Sequence, residues 1–112
     1  MGSPFVRRAL EHYLVEQGVN ENNRFAVITA IGEALANAIE HAYVEMPGTV
    51  RLRLGLADSE INVKIEDSGR WRPVTKNEER GRGIPLMRSL MDSVEIQTNR
   101  SSTQIRMRLQ IA

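Results

Sequence analysis

The chain has no cysteine, which removes disulfide frameworks and zinc–thiolate sites together. A reducing, cytoplasmic setting is the expectation. Charge of one sign is lacking as well: 15 lysines and arginines against 14 aspartates and glutamates leave +1, too little to argue for a nucleic-acid or anionic-membrane partner. Aromatic residues make up 4%, few for a platform on which bases could stack. No stretch approaches the roughly 20 consecutive apolar residues that cross a bilayer, and no signal peptide, internal repeat or low-complexity tract is visible. The 112 residues are enough for one domain with one core. Met1-Gly2-Ser3 reads as a scar of expression, so residues 4–112 are expected to be a single domain taken from something longer.

Hydrophobic periodicity divides what remains. Phe5, Val6, Leu10, Tyr13 and Leu14 recur at helical spacing and predict a first helix over 4–17. Gly18 and the Asn20–Asn23 cluster stop it, and an alanine-rich helix follows from about 23 to 43. From Gly48 the period changes to two. Val50, Leu52, Leu54 and Leu56 alternate with Arg51, Arg53 and Gly55; Ala57–Glu60 turns; Ile61, Val63 and Ile65 make the second arm of a hairpin. Residues 68–82, with Pro73 and many charged side chains, read as a loop long enough to be a lid. A short helix over 84–92 precedes a second hairpin, Val94–Thr98 and Thr103–Ile111. Helices, hairpin, helix, hairpin predicts α+β: a two-layer sandwich, with a mostly antiparallel four-stranded sheet and three helices on one face.

Three places along this pattern carry chemistry. On the second helix Glu33, Asn37 and His41 follow at steps of four, on one side. A carboxylate can accept a proton, and a carboxamide oxygen one turn later can bind a hard cation such as magnesium. The same stripe, with Thr29 and Glu40, also suits a solvated helix face. Asn is nonetheless a poor choice for an exposed helix interior, and the small neighbours Ala30, Ala34, Ala36 and Ala38 suit a surface that something approaches closely. Asp67-Ser68-Gly69 ends the second strand. It is either an Asx-type turn or a carboxylate set to accept a hydrogen bond from an exocyclic amino group, with Gly69 admitting a flat ring. Gly81-Arg82-Gly83 opens the third helix, where glycine amides and the helix N-terminus favour oxyanions; a flexible loop before an ordinary helix start reads the same. Neither a P-loop nor a βαβ dinucleotide unit is present. Trp71 suits either a ligand cover or a loop anchor, and Ser101-Ser102-Thr103 reads most plainly as hairpin-turn chemistry.

In this order and spacing the motifs resemble the GHKL ATPase superfamily, with its Bergerat-type ATP-binding fold. Within it they look most like the anti-sigma-factor serine/threonine kinases. Glu33-x-x-x-Asn37-x-x-x-His41 is similar to the N-box, Asp67-x-Gly69 to the G1 box, and Gly81 through Asp92 to the G2 box. Ser102-Thr103 falls where the family has Gly-Thr on a late strand. The resemblance implies that Glu33 is a general base for the attacking hydroxyl and that Asn37 holds magnesium against the ATP phosphates. It implies that Asp67 accepts from the adenine amino group, with Gly69 and Thr103 lining the base. The amides of Gly81, Arg82, Gly83 and Ile84 would hold phosphate, with Arg80 or Arg82 near the γ-phosphoryl group. Departures are a missing second G1 glycine, with Trp71 nearby instead, Pro85 at the third G2 glycine position, and Ser102 for the late glycine.

The function so implied is an ATP- and magnesium-dependent protein kinase that phosphorylates a STAS-domain anti-sigma-factor antagonist and binds a sigma factor, commonly as a homodimer. The alternative is a nucleotide-binding anti-sigma switch with little or no transfer. A nucleic-acid module using Arg51, Arg53, Arg106 and Arg108 is disfavoured by the near-neutral charge.

Overall fold

In the computed structural model, residues 4–42, 50–67, 83–98 and 102–111 are described, with side chains as far as Ala36 in the second helix. The element order is α1 (Pro4–Glu16), α2 (Glu21–Ala42), β1 (Val50–Ala57), β2 (Glu60–Asp67), α3 (Gly83–Leu90), β3 (Ser93–Thr98) and β4 (Thr103–Gln110). The α+β class and the hairpin–helix–hairpin order agree with the sequence pattern.

Helix ends follow from local chemistry. α1 stops at Gly18, whose φ of 78° lies in the left-handed region that glycine enters without a Cβ penalty. The Gly18 amide donates to Val15 O and the Val19 amide to Leu14 O, both at 3.0 Å, which is the Schellman pairing. Val19 is thereby turned into the core. Two residues earlier than the alanine-rich pattern indicates, α2 begins at Glu21, because the Asn20 side chain caps it. Asn20 Oδ1 accepts from the Asn23 amide at 2.8 Å. Arg24 then ties the helices together, donating to Glu11 Oε2 and to Val19 O, each at 2.7 Å.

The sheet is wholly antiparallel with strand order β1-β2-β4-β3. Each hairpin is local, but the central pairing, β2 with β4, joins strands separated by α3. Asp58 (φ 53°) and Ser59 (φ 61°) close the first hairpin with both central residues left-handed, as a two-residue I′-type turn requires. Ser59 O accepts from the Ile111 amide at 2.9 Å and so fastens this turn to the end of β4.

Alternation sends Ile61, Val63 and Ile65 of β2 and Ile105, Met107 and Leu109 of β4 to one face, where they meet Val27, Ile28 and Ile31 of α2 and Met87 of α3. Helix α2 packs on β2 and on α3, while α1 packs on α2. β1 is an edge strand, so Leu52, Leu54 and Leu56 are only half-buried. Phe5 differs from the periodicity reading: it is 78% exposed. It stands five positions from Leu10, about 140° round the helix from the buried face, whereas Val6 and Tyr13 lean on the core.

Candidate functional site

The site is built from the end of β2 outward. Asp67 is the last residue of that strand and continues its inward set, so a carboxylate occupies the position where a fourth apolar residue would stand. It is 2% exposed. β2 lies inside the sheet, with Val50 opposite Asp67 on one side and Thr103 on the other. The carboxylate is therefore buried at the end of an interior strand; the Asx-type turn would run into residues 68–70, outside the described residues.

Thr103 opens β4 and is 3% exposed, facing inward with Ile105 and Met107. Its Oγ1 is buried without a hydrogen-bond partner among the described residues. A buried hydroxyl in that state costs about 1–3 kcal/mol, which makes Thr103, beside a buried carboxylate, a candidate ligand contact. Turn chemistry, which the Ser101-Ser102-Thr103 run suggests, does not account for Thr103. The signal lay in the alternation, since Thr103 shares the parity of the apolar set 105, 107 and 109. Together the two side chains offer carboxylate acceptors and a hydroxyl that both donates and accepts.

Glu33 lies on α2 and is half-buried, as is Thr29, so the stripe is not a fully solvated face. Asn37 and His41 follow on the same helix at one and two turns, within Glu21–Ala42. Ala30 and Ala34 are fully buried. Their small size serves the packing of α2 in the core rather than an approach from outside, which corrects the reading of those two positions.

Gly83 is the first residue of α3, and Ile84 half-buries its side chain against the core. The first amides of a helix have no intrahelical acceptor, and Pro85 has no amide to offer. Three ties position this helix: Met87 and Met91 are buried, and Arg88 Nη1 donates to Val94 O at 3.1 Å. Gly69, Arg80, Gly81, Arg82 and Trp71 lie outside the described residues. The structure thus brings Asp67 and Thr103 directly together, and puts Glu33 and Asn37 on the helix that packs against β2 and α3. No group of three or more metal-ligating side chains occurs among the described residues, and no helix there is long and apolar enough to cross a membrane.

Comparison with known proteins is consistent with this geometry. Residues 3–109 match the family described as "Histidine kinase-like ATPase domain". The chain is 34% identical to a serine-protein kinase RsbW of Bacillus velezensis, over 66% of this chain and 57% of that protein. It is 29% identical to an anti-sigma F factor of Caldanaerobacter subterraneus, over 70% of this chain and 64% of that protein. It thus spans less than two thirds of either relative. Among solved structures, the RsbU and RsbW domains of a Mycobacterium tuberculosis protein superpose over 96% of this chain and 28% of theirs, with a TM-score of 0.77 at 23% identity. The Acinetobacter baumannii histidine kinase AdeS superposes over 79% of this chain and 47% of its own, at 0.60 and 14%. At those identities the likeness establishes the fold.

Proposed function

We propose, from the premise that this chain belongs to the histidine kinase-like ATPase domain family, that it is an ATP-dependent protein serine/threonine kinase and anti-sigma factor. The observation that carries the reading is the buried Thr103 hydroxyl, without a hydrogen-bond partner among the described residues, set directly opposite the buried Asp67. Adenine is the complement of that pair: its exocyclic amino group donates to a carboxylate, and a ring nitrogen accepts from a hydroxyl. Gly69 admits the base. The amides of Gly81, Arg82, Gly83 and Ile84 take the phosphates, with Arg80 or Arg82 adding charge at the γ-phosphoryl group.

Glu33 acts as the base. As the γ-phosphoryl group passes to a serine or threonine oxygen of the protein substrate, the hydroxyl proton goes to the Glu33 carboxylate and ADP departs. Magnesium bound through the Asn37 amide oxygen would neutralise charge on the phosphates. The names of the two relatives, a serine-protein kinase and an anti-sigma F factor, support transfer to a protein serine and a sigma factor as partner. A STAS-domain antagonist as phospho-acceptor, a homodimer and a cytoplasmic setting complete the proposal.

Calorimetry with ATP, with and without magnesium, tests the site. Magnesium-dependent binding that Asp67→Ala removes is the expected result. Binding that Asp67→Ala leaves intact would overturn the assignment.

One observation favours a second reading, a switch that holds nucleotide and partner but transfers phosphate poorly. Pro85 sits in the first turn of α3 and withholds one amide from the phosphate-facing end. The two readings part on a single measurement: transfer of radiolabelled phosphate to a purified antagonist, which the kinase supports and the switch does not.

A further inference from the structure

The face of the sheet turned away from the helices carries its own pattern. Register places Arg53 beside Lys64, Lys64 beside Arg106, and Arg106 beside Glu95, one row across all four strands. Three cations thus stand side by side, although like charges directly opposite one another destabilise a sheet. Arg53 and Arg106 are exposed and make no ion pair among the described residues. Among the described residues, the ion pair of Lys64 is a long one to Glu66, 3.7 Å within its own strand. Beside the row, Gly55 pairs with Asn62 and leaves a hollow of about 440 Å³, whose charged lining is Arg53, Lys64, Arg106, Arg108 and Glu95. A Cβ on Gly55 would meet nothing within 4 Å.

We propose that this face is a docking surface for an acidic helix of a partner protein. Adjacent strands lie about 4.8 Å apart, close to the 5–6 Å or so that separates side chains at i and i+4 on a helix. A helix laid across the strands therefore sets successive carboxylates over Arg53, Lys64 and Arg106. The hollow at Gly55 and Asn62 receives its flank. Glu95, at the far end of the row, favours the positive N-terminal end of the docked helix.

A second copy of this chain fits less well. A two-fold, face-to-face partner centred on the row would set Lys64 against a cation. Nucleic acid lacks the aromatic platform it would stack on, and Glu66 and Glu95 repel its phosphates. The surface lies on the opposite side of the sheet from Asp67 and Thr103, so it stands whether or not the nucleotide reading does.

The test is a fluorescence-anisotropy titration of the wild-type chain with a labelled helical peptide of about 16 residues, bearing glutamates at i, i+4 and i+7. The same peptide with glutamines and a single-stranded DNA oligonucleotide serve as comparisons. The glutamate peptide alone is expected to bind. The Arg53→Glu/Arg106→Glu variant should weaken binding by about 10-fold or more. Gly55→Val fills open space and should weaken it by about 3-fold without lowering the melting temperature. ATP binding, followed in parallel, should not change in either variant. No peptide binding at millimolar concentration, equal binding of the glutamine peptide, or unchanged affinity in the charge-reversed variant would overturn the proposal. So would tighter binding of the oligonucleotide, or a wild-type dimer that the charge reversal dissociates.

Discussion

Asp67 and Thr103 are direct partners across β2 and β4, and both are almost fully buried. The pairing matters because β2 and β4 are not consecutive strands. Two polar residues 36 positions apart in the chain meet at one end of β2 and β4, whose other inward positions are apolar, and one of them has a hydroxyl without a hydrogen-bond partner among the described residues. The first two predictions follow from this pair.

Thr103→Val replaces the unsatisfied hydroxyl with a methyl of similar volume. The ligand-free protein is expected to be as stable as wild type or more so, by about 1 kcal/mol, in urea unfolding. ATP affinity should fall by about 10-fold, the value of one hydrogen bond. A loss of stability with no loss of affinity would make Thr103 a structural residue only.

Glu33→Ala and Asp67→Ala should separate catalysis from binding. The Glu33 variant is expected to keep ATP affinity within about 2-fold while phosphoryl transfer drops by about 100-fold or more. The Asp67 variant should lose affinity itself. Titration calorimetry read beside a transfer assay decides it, and equal loss of affinity in both would sink the division of roles.

Arg24→Met removes the bond to Glu11 and the bond to Val19 O while keeping the aliphatic stem. Both groups of the ion pair are partly solvated, so screening limits its share. Chemical denaturation should show a loss of about 1–2 kcal/mol. Because Arg24 links α1 to the start of α2, the loss should appear as faster amide exchange in α1 before the sheet.

Asp58→Asn with Ser59→Gly gives the first hairpin the residues its left-handed turn prefers. The carbonyl of residue 59, which accepts from Ile111 and from the Gln110 side chain, is retained. The double variant should be stabilised by about 1 kcal/mol, measured as a raised melting temperature. A lowered one would mean that the Asp58 or Ser59 side chain itself holds the turn.

Much of the architecture was legible along the chain because it rests on local rules. The change of period at Gly48 marks where helix yields to strand, and Gly18 marks the end of α1 through a left-handed cap. The Asn20–Asn23 cluster was read as a turn; its first residue is the cap of α2, which moved that helix start to Glu21. Phe5 was misplaced by counting apolar residues without their angular position. Ala30 and Ala34 were read as room for a ligand, because sequence cannot say which small residues face a neighbouring helix and which face outward.

What the sequence determined by itself was the set of elements, their ends and the alternation that makes one face of each strand apolar, since these follow from backbone sterics and from spacing within a few residues. Tertiary structure decided the strand order. Nothing local states that β4 pairs with β2 as well as with β3 of its own hairpin, because that second pairing is selected by closing one core under α2 and α3. It is this choice that seats Thr103 against Asp67 on the inner face, and aligns Arg53, Lys64 and Arg106 on the outer one.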